Sequence, residues 1–233
     1  MAAELPIDTQ PRVALIAALI SPLAQTLSDA MARESLRVEI TSADVLRHPA
    51  RPIVHVFVFD ASLAIAFADP IVAWAASSPQ TPGLIGVVED GGGHEREALL
   101  AAGFDDAISG RPSARELVAR VRAVQRRLRP MASSDRLRFG PFTLDLREHV
   151  LWMDAQAVRL TSIELAVMRE LIKARGRPLS RAELLDAAWG EGELEVSERA
   201  VDNVILRLRR KLPRAELIET VRSVGFRLAG RFP

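Results

Sequence analysis

The stretch SERAVDNVILRLRRKL, residues 197–212, decides the fold of the second half of the chain. Its apolar residues Val201, Ile205, Leu208 and Leu212 recur at helical spacing and predict one buried face. The opposite face carries the polar and basic residues Arg199, Asn203, Arg207 and Arg210, with Leu206 among them. Most arginine-rich helix faces are only solvated, so the flanking segments must show whether this face binds anything.

Those flanking segments predict a winged helix-turn-helix over residues 137–233. Upstream, Thr161 with Glu164 and Ser180 with Glu183 form two capping boxes, each of which starts a helix. FTLDL and HVLWM are short alternating strands, and IETV and FRLA, separated by RSVG, form a closing hairpin. A DNA major groove admits one helix, and a hairpin beside it reaches an adjacent groove or the backbone.

The first half of the chain has a different pattern. Continuous apolar runs at 13–20, 53–59 and 84–88 predict strands that are buried on both faces of a parallel sheet. Further strands are predicted at 37–40 and 105–108, and helices at 22–33, 62–76, 94–102 and 113–128. The alternation predicts a doubly wound α/β domain with a parallel five-stranded sheet over residues 1–129. Residues 130–136, which lack periodicity, are the expected linker.

Composition excludes several classes of site. The 233 residues contain no cysteine, so disulfides, zinc thiolates and thiol nucleophiles are absent. No apolar run approaches the ~20 residues that span a bilayer, and the first ten residues are not typical of a signal peptide. A cytoplasmic protein without membrane contact is expected. Residues 1–129 carry a net charge of −2 and residues 130–233 a net charge of +3, with the basic residues clustered.

Residues 137–230 resemble the effector domain of OmpR/PhoB-type response regulators. The resemblance rests on LTSIELAVMRELI, GRPLSRAELLDAAWG, ERAVDNVILRLRRKL and IETVRSVGFRL, which recur in the family's order and spacing. It implies a sequence-specific transcriptional regulator that binds direct-repeat promoter DNA as a dimer through the third helix and the wing. RNA polymerase is a further candidate partner.

The resemblance implies a role for individual residues. Arg207 matches a base-contacting arginine, and Arg222 matches the wing arginine that enters the minor groove. Positions that contact phosphates in the family correspond to Arg181, Trp189, Arg199 and Arg209. For Trp189 a buried structural role is an equal alternative. Asn203 and Arg210 share the outward face, and Asn can pair with adenine.

Three residues of the third helix depart from the family pattern. Ala200 replaces a threonine, Val204 a polar residue and Leu206 a basic or polar residue, so each removes a potential phosphate contact. Two interpretations of Leu206 stay open. Its side chain contacts a thymine methyl group, as apolar side chains do, or it faces a neighbouring protomer or solvent.

VALIAALI, FVFDASLA, GLIGVVED and the segment from AAGFDDAISG onward resemble the receiver domain of the same family. Asp60 stands at the phosphoacceptor position. The acid pair that holds Mg²⁺ is replaced by Ala17 and Ala18, and the lysine by Gly110. The Thr position is Val87 or Val88, the proline is Arg111, and the aromatic switch position is Ala107. We therefore expect a pseudo-receiver with a structural Asp60, no metal, no cofactor and no dependence on aspartyl phosphorylation.

The family's dimer surface has matching positions here. Those that carry inter-subunit ion pairs in the family are Arg96, Asp106, Glu116, Arg120 and Arg127. Exposed ion pairs are each worth ~0–1 kcal/mol, so we expect the affinity to come from the apolar neighbours Leu99, Phe104, Leu117 and Val121.

The alternative function is a protein-interaction module whose pseudo-receiver docks on a signalling or transcription partner, with weak DNA binding. An enzyme is not expected, because the four histidines are scattered and form no base–nucleophile or ligand spacing.

Overall fold

The computed structural model describes residues 12–16, 22–34, 36–47, 54–78, 81–88, 92–110, 112–128, 136–153, 156–190 and 196–229. Within these ranges no helix is long and apolar enough to cross a membrane.

The first part of the chain forms a five-stranded parallel sheet, as predicted. The strands are β1 (Arg12–Ile16), β2 (Arg37–Thr41), β3 (Val56–Phe59), β4 (Gly83–Val88) and β5 (Asp106–Ser109), in the order β2-β1-β3-β4-β5. The helices between and after them are α1 (Pro22–Arg33), α2 (Ala61–Ala66), α3 (Ala68–Ala76), α4 (Gly93–Ala102) and α5 (Ala114–Leu128). A short 3-10 helix, Ala43–Leu46, follows β2.

Both faces of this sheet are buried, because successive side chains of a strand point to opposite sides. Val56 and Val58 of β3 lie in one apolar cluster with Met31 of α1 and with Leu117 and Val121 of α5. Phe57 and Phe59 lie in the other cluster, which contains side chains of α2, α3 and α4. The continuous apolar runs of the sequence thus correspond to strands buried on both faces.

The single helix predicted over residues 62–76 is wrong, because two helices occupy this segment. Pro70 lacks an amide N–H, and its ring would clash with the carbonyl of Ala66, four residues earlier. Therefore α2 ends at Ala66, and α3 begins at Ala68 with Pro70 in its first turn, where proline is tolerated.

An antiparallel sheet opens the second part of the chain. It consists of β6 (Arg136–Phe139), β7 (Phe142–Asp145), β8 (Val150–Met153) and β9 (Gln156–Arg159) in sequence order. β6 and β9 were not predicted. Arg136, predicted to end the linker, belongs to β6 and donates to Asp145 at 2.9 Å; the rest of that linker, residues 130–135, lies outside the described residues.

The three predicted helices and the hairpin complete the winged-helix architecture. They are α6 (Ser162–Lys173), α7 (Arg181–Trp189), α8 (Glu198–Lys211), β11 (Ile218–Val221) and β12 (Gly225–Leu228), with a short β10 (Leu179–Ser180) before α7 and a 3-10 helix (Ala215–Leu217) before β11. Both predicted capping boxes are confirmed, since the side chain and backbone bonds are reciprocal at Thr161 with Glu164 and at Ser180 with Glu183. β12 pairs with both β10 and β11, which joins the hairpin to the helices.

Candidate nucleic-acid interface

Helix α8 places its predicted apolar face inside the protein. Val201, Ile205, Leu208 and Leu212 are all buried. Ala200 and Val204 are also buried, so two of the residues that depart from the family pattern face protein. Leu206 is 46% exposed, and Arg199 and Arg210 are exposed beside it. The exposed surface of α8 is therefore basic with one apolar side chain.

The hairpin β11–β12 forms a wing with an exposed tip. Arg222 and Val224 in its turn are exposed. Gly225 begins β12 where a Cβ atom would lie 2.0 Å from the carbonyl oxygen of Leu179. Only glycine lets β12 approach β10 this closely, and that approach fixes the wing to the start of α7.

Two arginines join the wing to the helices. Arg181 of α7 donates from Nε to Asp202 Oδ1 of α8 at 2.9 Å, and its guanidinium lies 4.8 Å from the ring centroid of Phe226. Arg209 of α8 donates to the carbonyl of Ile218 at 2.7 Å and to Thr220 Oγ1 at 2.8 Å. Both side chains, expected to contact phosphate, are held by intramolecular partners in this conformation.

Arg207 does not lie on the exposed face where the helical pattern placed it. Its side chain is 15% exposed, and its Nε atom lies 3.4 Å from Glu164 Oε1. Its Nη1 atom donates to the backbone carbonyls of Leu100 and Ala101 in α4. Burial lowers the pKa of Arg207, while the Glu164 carboxylate acts in the opposite direction. A contact with a DNA base requires this side chain to leave α4.

Glu164 is an ion-pair residue that the sequence pattern presented only as a helix cap. Its carboxylate is fully buried and accepts from Lys211 Nζ at 2.6 Å as well as from the backbone N–H of Thr161 at 2.9 Å. Buried acids are commonly paired with cations. The sequence signal that could have indicated these ion pairs is the glutamate of a capping box in a domain that also contains a basic helix.

Three other predicted DNA contacts have distinct environments. Trp189 is 2% exposed, which favours the structural alternative for this residue. Arg199 lies 3.9 Å from Glu97 of α4. Asn203 is half-buried and lines a cavity of about 320 Å³ between α4 and α8.

In the receiver-like sheet, Asp60 directly follows β3 and caps the next helix. Asp60 is the N-cap of α2, and its Oδ1 accepts from the Leu63 amide at 3.1 Å and the Ser62 hydroxyl at 2.9 Å. Gly110, at the lysine position, has φ +79°, which a lysine would adopt only with strain. Ala17, Ala18 and Arg111 lie outside the described residues.

The expected apolar contribution to a dimer surface is wrong for this conformation. Leu99, Phe104, Leu117 and Val121 are at most 1% exposed, because they form the core beneath α4 and α5. Asp106 is likewise buried and pairs with Arg120 at 3.5 Å. Arg120 also lies 3.9 Å from Glu116, and Arg96 donates to the carbonyl of Ala107 at 2.9 Å. The side chain of Arg127 lies outside the described residues.

Comparison with known proteins agrees with this architecture. The family described as "Transcriptional regulatory protein, C terminal" matches residues 155–228. The phosphate regulon transcriptional regulatory protein PhoB of Rhizobium meliloti (strain 1021) is 37% identical over 155 residues, which cover 64% of this chain and 68% of that protein. The probable transcriptional regulator ycf27 of Guillardia theta is 38% identical over 143 residues, 57% of this chain and 56% of that protein. These relatives are named as transcriptional regulators and not as enzymes.

A solved structure extends the likeness of fold to both parts of the chain. A mutant of the protein RitR superposes with a TM-score of 0.74 over 94% of this chain and 99% of that one, at 21% sequence identity. The parallel sheet, the winged helix and the similarity to PhoB lead to one conclusion: the chain belongs to the OmpR/PhoB family of response regulators, with a winged-helix effector domain.

Proposed function

We propose that this protein is a sequence-specific DNA-binding transcriptional regulator that works without aspartyl phosphorylation. The observation that carries the proposal is the exposed surface shared by α8 and the wing. Arg210, Leu206 and Arg222 are exposed there, while the opposite face of α8 is packed into the domain. A helix with an exposed basic face, followed by a basic hairpin, fits a major groove and its flanking backbone.

We assign each polar or basic residue of this region its own role. Arg207 and Asn203 read bases, Arg222 enters the minor groove, and Arg199 and Arg210 contact phosphate. Arg181 and Arg209 hold α7, α8 and the wing in register, since both lie against Phe226 and bond to neighbouring elements. From this position their charge also attracts the DNA backbone.

Independence from phosphorylation is supported by the surroundings of Asp60. A carboxylate that caps a helix already accepts two hydrogen bonds, one from an amide and one from a hydroxyl. Phosphoryl transfer needs cations that offset charge on the phosphoryl oxygens, and the sequence has alanines and a glycine where the family has the metal ligands and the lysine.

Dimerisation on direct-repeat promoter DNA belongs to the same proposal, with RNA polymerase as a further partner. Its support is the match of Arg96, Asp106, Glu116 and Arg120 to the family's ion-pair positions. Since these groups have partners within the chain, we expect the DNA repeat, more than the free surfaces, to bring two copies together.

A protein-interaction module is the second candidate. The observation that favours it is the burial of Ala200 and Val204, which leaves fewer side chains on α8 for phosphate.

The test is selection of a duplex by the full-length protein from a random-sequence library, followed by a salt series on the selected duplex. We expect Arg210→Ala to weaken binding to all duplexes and to reduce the slope of log affinity against log salt concentration by about one unit.

Arg209→Ala should have the same effect on DNA binding and also lower the free energy of unfolding by about 1 kcal/mol, because it removes hydrogen bonds between α8 and β11. If no sequence is enriched and the affinity for DNA does not change with salt concentration, the result favours the protein-interaction module.

A further inference from the structure

The four-stranded sheet β6–β9 has an outer face that points away from the apolar core. Alternate residues of a strand point to opposite faces, so Leu151 and Met153 of β8 are buried while Trp152 between them is 44% exposed. Strand pairing arranges the side chains of the outer face in two rows. One row is Arg138, Thr143, Trp152 and Ala157, and the other is Arg136, Asp145, Val150 and Arg159.

Trp152 stands in the middle of its row between two small side chains. Thr143 is its partner on β7, and Ala157 is its partner on β9. Side chains of a strand stand roughly perpendicular to the sheet, so these short neighbours leave room beside the indole for a planar group. Of the three tryptophans of the chain, Trp74 is 8% exposed and Trp189 is 2% exposed. Only the Trp152 ring is thus well placed to stack on a group from outside.

Exposed arginines surround this ring. Arg138 is at the β6 end of the same row, and Arg159 lies two residues from Ala157 along β9, on the same face. Asp145, the acid of the two rows, is buried and accepts from Arg136 at 2.9 Å. The exposed charge of the outer face is therefore positive.

An exposed indole among cations has the chemistry of a site for unpaired nucleic acid. Stacking on an aromatic side chain requires the flat face of a base, which a duplex hides and a single strand presents. Guanidinium groups bind the phosphates of such a strand through charge-assisted hydrogen bonds. A single strand uses both features of the outer face, the ring and the positive charge.

The position of the outer face favours DNA over RNA. Lys211, the last residue of α8, donates from Nζ to the carbonyl of Arg159 at 3.2 Å. The sheet therefore adjoins the end of the helix that is assigned to duplex DNA. A strand that separates from a duplex at this end of α8 lies close to the outer face.

We propose that the outer face of the β6–β9 sheet is a second nucleic-acid site, which binds single-stranded DNA. Bases stack on Trp152, and phosphates bind Arg138 and Arg159. The choice of DNA rests on the proposed function, because it follows from the position of α8. The site is separate from the surface that α8 and the wing offer to duplex DNA, so a substitution can remove either one alone.

The first test measures binding of a fluorescein-labelled oligothymidylate of about 15 nucleotides, a length within the range of single-strand sites. This strand does not pair with itself, and the full-length protein is titrated into it. Trp152→Leu should weaken binding about fivefold or more, because leucine keeps an apolar side chain but has no ring. Trp152→Phe keeps a ring and should bind within about twofold of wild type. Equal affinities for wild type and Trp152→Leu overturn the proposal.

Intrinsic tryptophan fluorescence gives a second measurement with the unlabelled strand. Stacking of a base on Trp152 should quench the emission of wild type, since the other two tryptophans are buried. In Trp152→Phe the strand should still bind while the quenching disappears. Quenching of equal size in wild type and Trp152→Phe would place the strand away from Trp152 and contradict the site.

A third test concerns charge. Arg138→Ala should weaken binding of the oligothymidylate and reduce the slope of log affinity against log salt concentration by about 0.7 unit. The matched control, Arg126→Ala, removes an exposed arginine from α5 and should bind like wild type. Equal losses in the two variants would show general attraction to positive charge and reject a site on the outer face.

A double variant separates this site from the proposed duplex site. Arg210→Ala/Arg222→Ala should weaken duplex binding and keep the affinity for the oligothymidylate, whereas Trp152→Leu should do the reverse. If only the double variant loses the single strand, the strand binds at α8 and the wing, and the proposal is wrong. Enrichment of no duplex, with single-strand binding that depends on Trp152, rejects the proposed function and keeps the outer-face site.

Two further outcomes also contradict the proposal. Tighter binding of an oligouridylate of the same length would make RNA the ligand. Failure of wild type to bind the oligothymidylate at any salt concentration rejects the single-strand site and favours an acidic protein segment, since tryptophan and arginine are also common in protein interfaces.

Discussion

At the residue scale, one buried carboxylate organises the basic side of α8. Glu164 pairs with Lys211 at 2.6 Å and lies 3.4 Å from Arg207, while it also caps α6. Burial of a carboxylate is costly unless cations and N–H donors surround it. The same side chain therefore begins one helix and holds two cations of another.

The burial of His149 predicts that the stability of the protein depends on pH. This residue lies in the turn between β7 and β8 at φ +52°, and burial, aided by the charge of Arg159, lowers its pKa from 6.5 to about 4. Well above pH 6.5 it is neutral in both the folded and the unfolded state and contributes nothing. As the pH falls toward 4, the histidine of the unfolded chain is protonated, while His149 of the folded protein stays mostly neutral. The free energy of unfolding therefore falls by an amount on the order of 3 kcal/mol.

The measurement is urea unfolding of wild type and His149→Asn between pH 7.5 and 4. Asparagine tolerates the left-handed backbone and does not titrate. The stability advantage of wild type over the variant should shrink on acidification by the amount given above. If the unfolding free energies of the two proteins change in parallel with pH, the lowered pKa of His149 is contradicted.

The exposure of Leu206 predicts a contact with a thymine methyl group of the DNA. The Leu206 side chain is 46% exposed on the outer face of α8, where an apolar group gains from contact with a thymine methyl. In the selected duplex, replacement of the contacted thymine by uracil should weaken wild type but not Leu206→Ala. Equal losses in both proteins reject the contact and favour the alternative, in which Leu206 faces a second protomer or solvent.

At the scale of the element, the burial of α8 extends beyond its predicted apolar face. Ala200 and Val204 are buried beside the core face. A buried polar side chain without a partner costs about 1–3 kcal/mol, so the threonine and polar residue typical of the family would fit this environment poorly. The apolar residues at these positions match the burial of this part of α8.

The position of Asp60 at the start of α2 predicts a role in stability. As the N-cap, Asp60 should contribute about 1 kcal/mol to folding, so Asp60→Ala should lower stability by that amount and Asp60→Asn by much less. Affinity for the selected duplex and the dimeric state should be the same in all three proteins. A donor-dependent gain in mass at Asp60 together with tighter DNA binding would show that the residue is a working phosphoacceptor.

At the scale of the whole molecule, the two parts of the chain share one apolar cluster. Domains that are packed together through such a cluster unfold cooperatively, whereas separated domains unfold independently. We expect calorimetry of wild type to give one transition. Glu97→Arg/Ala101→Arg, which places two cations on α4 opposite Arg199 and Arg207 of α8, should give two transitions. The control Glu34→Arg/Ala119→Arg, which changes the same residue types in the groove between α1 and α5, should keep one transition. Two transitions in wild type would contradict the packing of the two parts through this cluster.

Local pattern was enough to predict most elements of this protein. The capping boxes at Thr161 and Ser180, the apolar runs that became β3 and β4, and the apolar face of α8 depend on neighbours within a few residues. Such signals act through backbone hydrogen bonds and periodic burial, which are written in the sequence itself. The break at Phe67 had a local signal too, in Pro70.

What only the tertiary structure decided is which side chains meet across the chain. Arg207 occupies a position typical of base contact, yet its partners are Glu164, 43 residues earlier, and the end of α4, more than 100 residues earlier. Likewise, helical periodicity placed Arg207 on the polar face but could not show that α4 covers it. A side chain's free energy depends on the groups that the fold brings near it, and separation along the chain contains no record of that proximity.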